Sequence, residues 1–327
     1  MKTKALLVIC ISFFLSAAQL VRAQQAKKMP RIGVLISATP AAAARRVETI
    51  QRGLRELGYV DGKNVIIEYR YADGKLEPLA ELAAELIRLK VDIIVTDTSN
   101  ATDVLKNATK TIPVVFTRAI DPVGDGQVAS LAHPGGNLTG FSILAPELNG
   151  KRLELLKEAF PKITRVGFIQ RAGSPRNEQR LKEDEVAAKA LALQLQTILV
   201  KDADDLERAF DAAKKAGAHA LTFTPSTFLN TNRQKFIDLT AKIRLPAIYP
   251  GTVYAEAGGL MSYGPDLLDN DRRAAGYVDK ILKGEKPGDL PVQQPMRFEF
   301  AINLKAAKQI GVTIPPNVLV RADKVIR

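Results

Sequence analysis

The chain has 327 residues, enough for two domains of ordinary size and too many for one small core. Apolar residues make up 46 % and charged residues 25 %, a balance that excludes a disordered chain. Lysine and arginine outnumber the acids 47 to 35, for a formal charge of +12, but the basic residues are spread along helical patterns such as Lys151-Arg152 and Arg272-Arg273; without a dense basic run or a helix-turn-helix pattern, no nucleic-acid partner is expected.

Lys2 and Lys4 precede an apolar run from Ala5 to about Leu20, and Val21 and Ala23 place short residues where a signal peptidase reads. Residues 1–23 are therefore expected to be a secretory signal peptide, cleaved after Ala23, which points to the periplasm. The run is too short and too interrupted for a transmembrane anchor. Cys10, the one cysteine, follows Ile9 where lipid attachment wants a small residue, so lipidation is not expected. The mature chain then has no thiol for disulfides or for a metal.

From Met29 onward, strand and helix patterns alternate. Arg31–Ile36 is a buried-strand run, followed by Val47, Ile50, Leu54 and Leu57 at helical spacing up to Gly58. Val65–Tyr69 is the next strand, and a helix is expected from about Leu76 to Leu89. Ile93–Val95 and Pro113–Phe116 are the third and fourth strands, with a helix from about Ser99 to Ala108 between them. Such alternation implies parallel strands joined by right-handed crossovers.

The series then repeats. Arg31-Ile32-Gly33-Val34-Leu35 is echoed by Arg165-Val166-Gly167-Phe168-Ile169, Val95–Ser99 by Thr222–Ser226, and Ile112–Phe116 by Leu245–Tyr249. The offsets are 134, 127 and 133 residues. Three echoes in one order at nearly constant offset indicate two copies of one α/β unit. The second copy is expected to hold helices at about Pro175–Leu193, Ala203–Ala216 and Asn230–Ile243, with strands near Leu195–Val200 and Ala218–Phe223. Beyond it come a strand over Gly258–Gly264, a helix from Pro265 to about Leu282, a late strand over Arg297–Ile302 and a short helix to Gly311. These extra elements are expected if the chain crosses between two lobes more than once, forming a multi-strand hinge.

Gly53-Leu54-Arg55-Glu56-Leu57-Gly58-Tyr59, Asp121-Pro122-Val123-Gly124, Pro134–Gly140, Ser262-Tyr263-Gly264-Pro265 and Tyr277–Gly284 occur in that order. In these stretches the chain resembles the substrate-binding proteins of ABC transporters with the type I periplasmic binding fold, in particular a group that includes proteins linked to aromatic amino acids. The resemblance spans essentially the whole mature chain. It implies an α/β fold of two Rossmann-like lobes with parallel sheets joined by a multi-crossover hinge. The lobes are expected at 31–141 plus 264–293 and at 142–263 plus 294–327. The implied partners are a small-molecule ligand and the ABC permease and ATPase subunits, the membrane being reached only through the permease. A monomer is expected, and no cofactor.

In open α/β sheets ligands lie beyond the carboxyl ends of the strands, where helix N-termini present unpaired amides. Thr98 and Ser99 end the third strand and start a helix; they either cap that helix, share a ligand carboxylate with its amides, or both. Thr224 and Ser226 hold the matching place in the second copy. Ser37 and Thr39 end the first strand, and Gln170 and Arg171 end its echo; Arg171 pairs either with an anionic ligand or with a surface acid. Phe116 and Tyr249 end the echoed fourth strands and either stack on a ligand or join the core. Asp121 either receives a ligand ammonium or caps the turn before Pro122. Tyr263, at an expected lobe crossing, either lines the cleft or packs in the hinge.

Catalysis is not expected. His133 and His219 are not spaced as a metal pair, there is no Gly-x-Ser-x-Gly elbow, and Gly135-Gly136-Asn137 lacks the Lys-Ser/Thr of a phosphate loop. With aromatics at 6 % and no tryptophan, sugars are disfavoured, whereas strand-end hydroxyls favour an amino acid or another small carboxylate. Capture by lobe closure for an ABC importer is the expected function. The alternative is a sensor that presents its liganded state to a membrane receptor or kinase.

Overall fold

The apolar runs become strands and the helically spaced ones become helices. A computed structural model describes residues 29–143, 148–173 and 177–327. The expected signal peptide, Cys10 and the helix start at Pro175 lie outside the described residues. The first copy runs β1 (Arg31–Ile36), α1 (Pro40–Glu56), β2 (Ile66–Tyr71), α2 (Leu79–Arg88), β3 (Ile93–Thr98), α3 (Ser99–Ala108), β4 (Val114–Ala119) and β5 (Leu138–Ser142). Its five strands form one sheet in the order β2-β1-β3-β4-β5, with every neighbouring pair parallel.

The second copy runs α4 (Leu148–Ala159), β6 (Arg165–Arg171), α5 (Asn177–Ala190), β7 (Gln194–Val200), α6 (Leu206–Lys215), β8 (Ala220–Phe223), α7 (Thr227–Thr231), α8 (Arg233–Ile243), β9 (Ala247–Tyr249), α9 (Thr252–Glu256) and β10 (Met261–Pro265). The remainder is α10 (Leu267–Leu282), a 3-10 turn (Pro287–Asp289), β11 (Phe298–Asn303), α11 (Leu304–Ile310), α12 (Pro316–Leu319) and β12 (Lys324–Ile326). The second sheet has the order β12-β11-β10-β9-β8-β6-β7. Read from β7, its first five strands repeat the order of the first sheet, and the echoed segments occupy equivalent slots: β1 with β6, β3 with β8, β4 with β9. The duplication seen in the sequence is therefore a duplication of topology.

One pair departs from the expected parallel pattern, because β10 and β11 are antiparallel, with Tyr263 opposite Phe300. The reason lies in the connection. After β10 the chain leaves the second sheet, and α10 packs on the first, its Ala274, Ala275, Val278 and Ile281 joining Ile32, Val34, Ile50 and Leu54 in one apolar cluster. Gln293 then lies beside β5, donating to the Gly140 carbonyl at 3.0 Å and accepting from Ser142 at 2.9 Å. Only afterwards does β11 re-enter the second sheet, without the crossover helix that parallel neighbours need. The chain thus passes between the sheets after Ser142, after Pro265 and after Gln293.

Both sheets are covered on both faces, as parallel sheets require. Each has an apolar cluster on either side: Ile93, Val95 and Val115 on one face of the first and Ile94, Val114 and Phe116 on the other. In the second, Val166, Ala220 and Ile248 face α4, whereas Leu221, Phe223 and Tyr249 face α6 and α8.

Candidate ligand site

The carboxyl end of the first sheet is built around a buried acid. Asp97, next to last in β3, accepts from the Ser37 amide at 3.1 Å and from its hydroxyl at 2.9 Å. It also pairs with Arg46 of α1. Ser37 Oγ lies 2.8 Å from Thr98 Oγ1, and Thr98 accepts from the Ala101 amide as the N-cap of α3. A second pair, Arg118 of β4 with Asp271 of α10, stands close by. Burial pushes the Arg46 guanidinium below its ordinary range, the nearby Arg118 adds to this, and Asp97 and Asp271 oppose it. Two ion pairs, Arg46 with Asp97 and Arg118 with Asp271, thus stand under the strand ends.

The other first-copy candidates fall into structural roles. Thr39 is the N-cap of α1, accepting from Ala42 at 3.3 Å. Ser99 is buried and its hydroxyl accepts from the Ile120 amide at 3.0 Å, tying the start of α3 to the loop after β4. Asp121 is buried, and its Oδ1 accepts from Gly124 at 3.0 Å, the turn-capping option. Phe116 corrects the ligand-stacking option: it is fully buried among Leu35, Ile94 and Val114, because β4 runs on to Ala119 and the Phe116 side chain lies in the cluster with Leu86 of α2 and Leu105 of α3.

In the second copy, Ser226 caps α7, accepting from Leu229 at 3.1 Å. Thr224 follows β8 and Gln170 sits near the end of the adjacent β6. Both are buried, and neither Thr224 Oγ1 nor Gln170 Nε2 has a hydrogen-bond partner among the described residues. Asn149, in the first turn of α4, is the third such residue: its Oδ1 lies 3.4 Å from Thr222 Oγ1, and its Nδ2 is buried and has no partner among the described residues. Arg171 is exposed, its guanidinium 4.9 Å over the Phe228 ring. Tyr249 is a second correction. It is fully buried, stacked between Phe223 at 4.6 Å and Tyr254 at 5.4 Å, and its hydroxyl donates to Thr240 at 2.9 Å. Burial in this aromatic stack raises its pKa well above that of a free phenol. Tyr263 is half-buried in β10, its ring stacked on Phe298 and its carbonyl accepting from Arg152 at 2.8 Å. Arg152 is itself buried, and that burial pulls its pKa down to about 10.

Sequence reasoning overlooked Asp97, Arg46, Arg118, Asp271 and Asn149. A signal existed for two of them. Asp97 interrupts an otherwise uncharged strand, and Asp271 shares helical spacing with the buried Ala274, Ala275 and Val278. A side chain also bridges the two copies: Arg45 of α1 lies 3.7 Å from Glu256 of α9.

Residues 31–326 match the family described as ABC transporter substrate binding protein. A tyrosine-binding protein of Clostridioides difficile is 25 % identical over 290 residues, covering 88 % of this chain and 82 % of that protein. Among solved structures, a conserved domain protein from Vibrio cholerae has 28 % identity and a TM-score of 0.79, over 91 % of this chain and 100 % of that one. The ABC domain of Streptococcus pneumoniae in complex with L-Trp has 27 % identity and a TM-score of 0.79, over 91 % and 99 %.

Proposed function

The chain belongs to the ABC transporter substrate-binding protein family, whose members bind a small molecule outside the cytoplasmic membrane for a permease, and on that premise we propose that this one captures an amino acid or related small carboxylate by closing two lobes on it. It is a binding protein and not an enzyme. The lobes follow the two sheets, 31–142 plus 266–293 and 148–265 plus 294–327, against the bounds 31–141 plus 264–293 and 142–263 plus 294–327 expected from sequence, because β5 ends at Ser142 and β10 at Pro265, and the three passages between the sheets act as the hinge. The protein works as an exported monomer, released from its signal peptide after Ala23, and it delivers its ligand to a permease driven by an ATPase.

The observation that carries this reading is the match between two strand ends. β3 and β8 occupy equivalent slots in the two sheets, and each leads into a helix capped by a hydroxyl, Thr98 in one and Ser226 in the other. At the strand ends of the second copy, Asn149, Gln170 and Thr224 carry buried polar atoms with no hydrogen-bond partner among the described residues. An aromatic amino acid is the favoured ligand, supported by the tyrosine-binding relative and the tryptophan-bound structure.

Thermal melting across the amino acids, small carboxylates and nucleobases tests the reading. A true ligand at a hundred times its Kd stabilises the native state by about 2.7 kcal/mol, a rise of several degrees in Tm. Flat melting curves across the panel, with no retained ligand in native mass spectrometry, would overturn it. Export has its own test: the protein recovered from an export-competent host is expected to begin at Gln24, and an intact Met1 product would refute cleavage.

A further inference from the structure

We infer that the site is polarised between the two copies: in the first, where the Arg46 and Arg118 guanidiniums are each held by a carboxylate, Asp97 and Asp271, the Ser37 and Thr98 hydroxyls offer a ligand acceptors, and the second offers donors, at Asn149, Gln170 and Thr224. An amino acid is then held with its ammonium against the first copy and its carboxylate against the second. This rests on the reading that the ligand is an amino acid bound between the lobes.

The first half follows from counting protons. Ser37 has one hydroxyl proton and two polar neighbours, the Asp97 carboxylate at 2.9 Å and Thr98 Oγ1 at 2.8 Å. A carboxylate is the stronger acceptor, so the Ser37 proton goes to Asp97. The contact with Thr98 then requires Thr98 to donate, which uses its only proton. Thr98 Oγ1 also accepts from the Ala101 amide. Each hydroxyl is left with one open lone pair and nothing to donate. Both side chains are part-exposed, so a ligand can reach them. They suit a group rich in protons, such as an ammonium.

The second half follows from groups with too few partners. Asn149, Gln170 and Thr224 retain 7 %, 2 % and 8 % exposure, and among the described residues Asn149 Nδ2, Gln170 Nε2 and Thr224 Oγ1 make no hydrogen bond. Along β6 and β8, Ile169 stands opposite Phe223, and the Thr224 amide bonds the Ile169 carbonyl, so Gln170 and Thr224 are neighbours across the ladder. Asn149 reaches the same face through Thr222. A buried polar group without a partner costs about 1–3 kcal/mol, so three on one strand-end face are a poor arrangement for stability alone. Two of them are amide NH2 donors, and a carboxylate satisfies them with charge-assisted bonds.

The experiment uses the amino acid with the largest thermal shift, its decarboxylated amine and its deaminated acid as three probes in isothermal titration. Gln170→Leu is expected to weaken the amino acid and the deaminated acid about tenfold or more, the loss of a hydrogen bond to a charged group, and to leave the amine within about twofold. Ser37→Ala is expected to do the reverse, weakening the amino acid and the amine and sparing the acid. Gln170→Leu removes no side-chain bond to any described residue, so its Tm should equal or exceed that of the parent, which separates binding from folding. The inference falls if Gln170→Leu weakens amine and acid alike. It also falls if Ser37→Ala is the variant selective for the acid, because the ligand then lies the other way round, carboxylate toward the start of α3. If amino acids bind but neither variant discriminates, only the polarity is lost. If no amino acid binds, the reading on which it rests is lost as well.

Discussion

Asp271 and Arg118 show how a buried charge constrains its neighbours. Asp271 is fully buried on α10, and its partner Arg118 comes from β4, more than a hundred and fifty residues earlier. Removing one member leaves the other charged and unpaired, so Asp271→Ala is expected to cost about 3–5 kcal/mol in denaturant unfolding. Replacing both with apolar residues of similar size, Arg118→Met with Asp271→Leu, should recover most of that loss; a double variant no more stable than the single would refute the pairing. Tyr249 makes the opposite case. Because its hydroxyl bonds Thr240 inside the core, Tyr249→Phe should lower stability by about 1 kcal/mol and leave ligand affinity within about twofold. A large loss of affinity with unchanged stability would restore its stacking role. The hydroxyl caps Thr98 and, through its echo, Ser226 were legible in sequence because capping depends on the next three residues alone, whereas Thr39 was read as a strand end and caps α1. Phe116 and Tyr249 were not, because β4 runs three residues past Phe116 to Ala119 and Tyr254 of the following helix covers Tyr249, neither of which the strand's own residues disclose.

At the scale of elements, α10 is the piece that joins the two copies, and the Gly53–Tyr59 stretch is shaped to receive it. A Cβ on Gly53 would stand 2.8 Å from the Arg272 carbonyl and 2.9 Å from Ala275 Cβ, so α1 and α10 touch with no room between them. Tyr59 completes the contact by donating to Asp279 at 2.9 Å. Gly53→Ala is thus expected to push the helices apart and to cost about 1–3 kcal/mol, read as a lower denaturant midpoint at constant slope. An unchanged midpoint would mean that the contact gives way freely. The stretch was visible in sequence as a family signature, but its physical reason was hidden, since Gly53 and Tyr59 meet residues more than two hundred positions later. Strand positions were readable from apolar runs for the converse reason, that a strand buried on both faces needs apolar residues throughout. The antiparallel entry of β11 was unreadable, because direction depends on the path taken between the two sheets and not on the strand's own residues.

For the whole molecule, the proposed closure leaves the balance between open and closed forms to weak contacts across the two copies. Arg45 and Glu256 form such a contact at 3.7 Å, and Arg45 is 72 % exposed. Exposed pairs of this kind contribute about 0–1 kcal/mol. On folding stability that is negligible, but on a two-state closure 1 kcal/mol is a factor of about five in population, and it passes directly into apparent affinity. Arg45→Gln should therefore weaken ligand binding by up to about fivefold, leave Tm without ligand unchanged, and act through dissociation of the closed form more than through encounter. The effect should fade at 1 M salt, where the screening length is about 3 Å. A loss of affinity that persists at high salt would mean that Arg45 contacts the ligand itself. No loss at any salt would mean that the three chain passages, with their fixed geometry, set the balance alone.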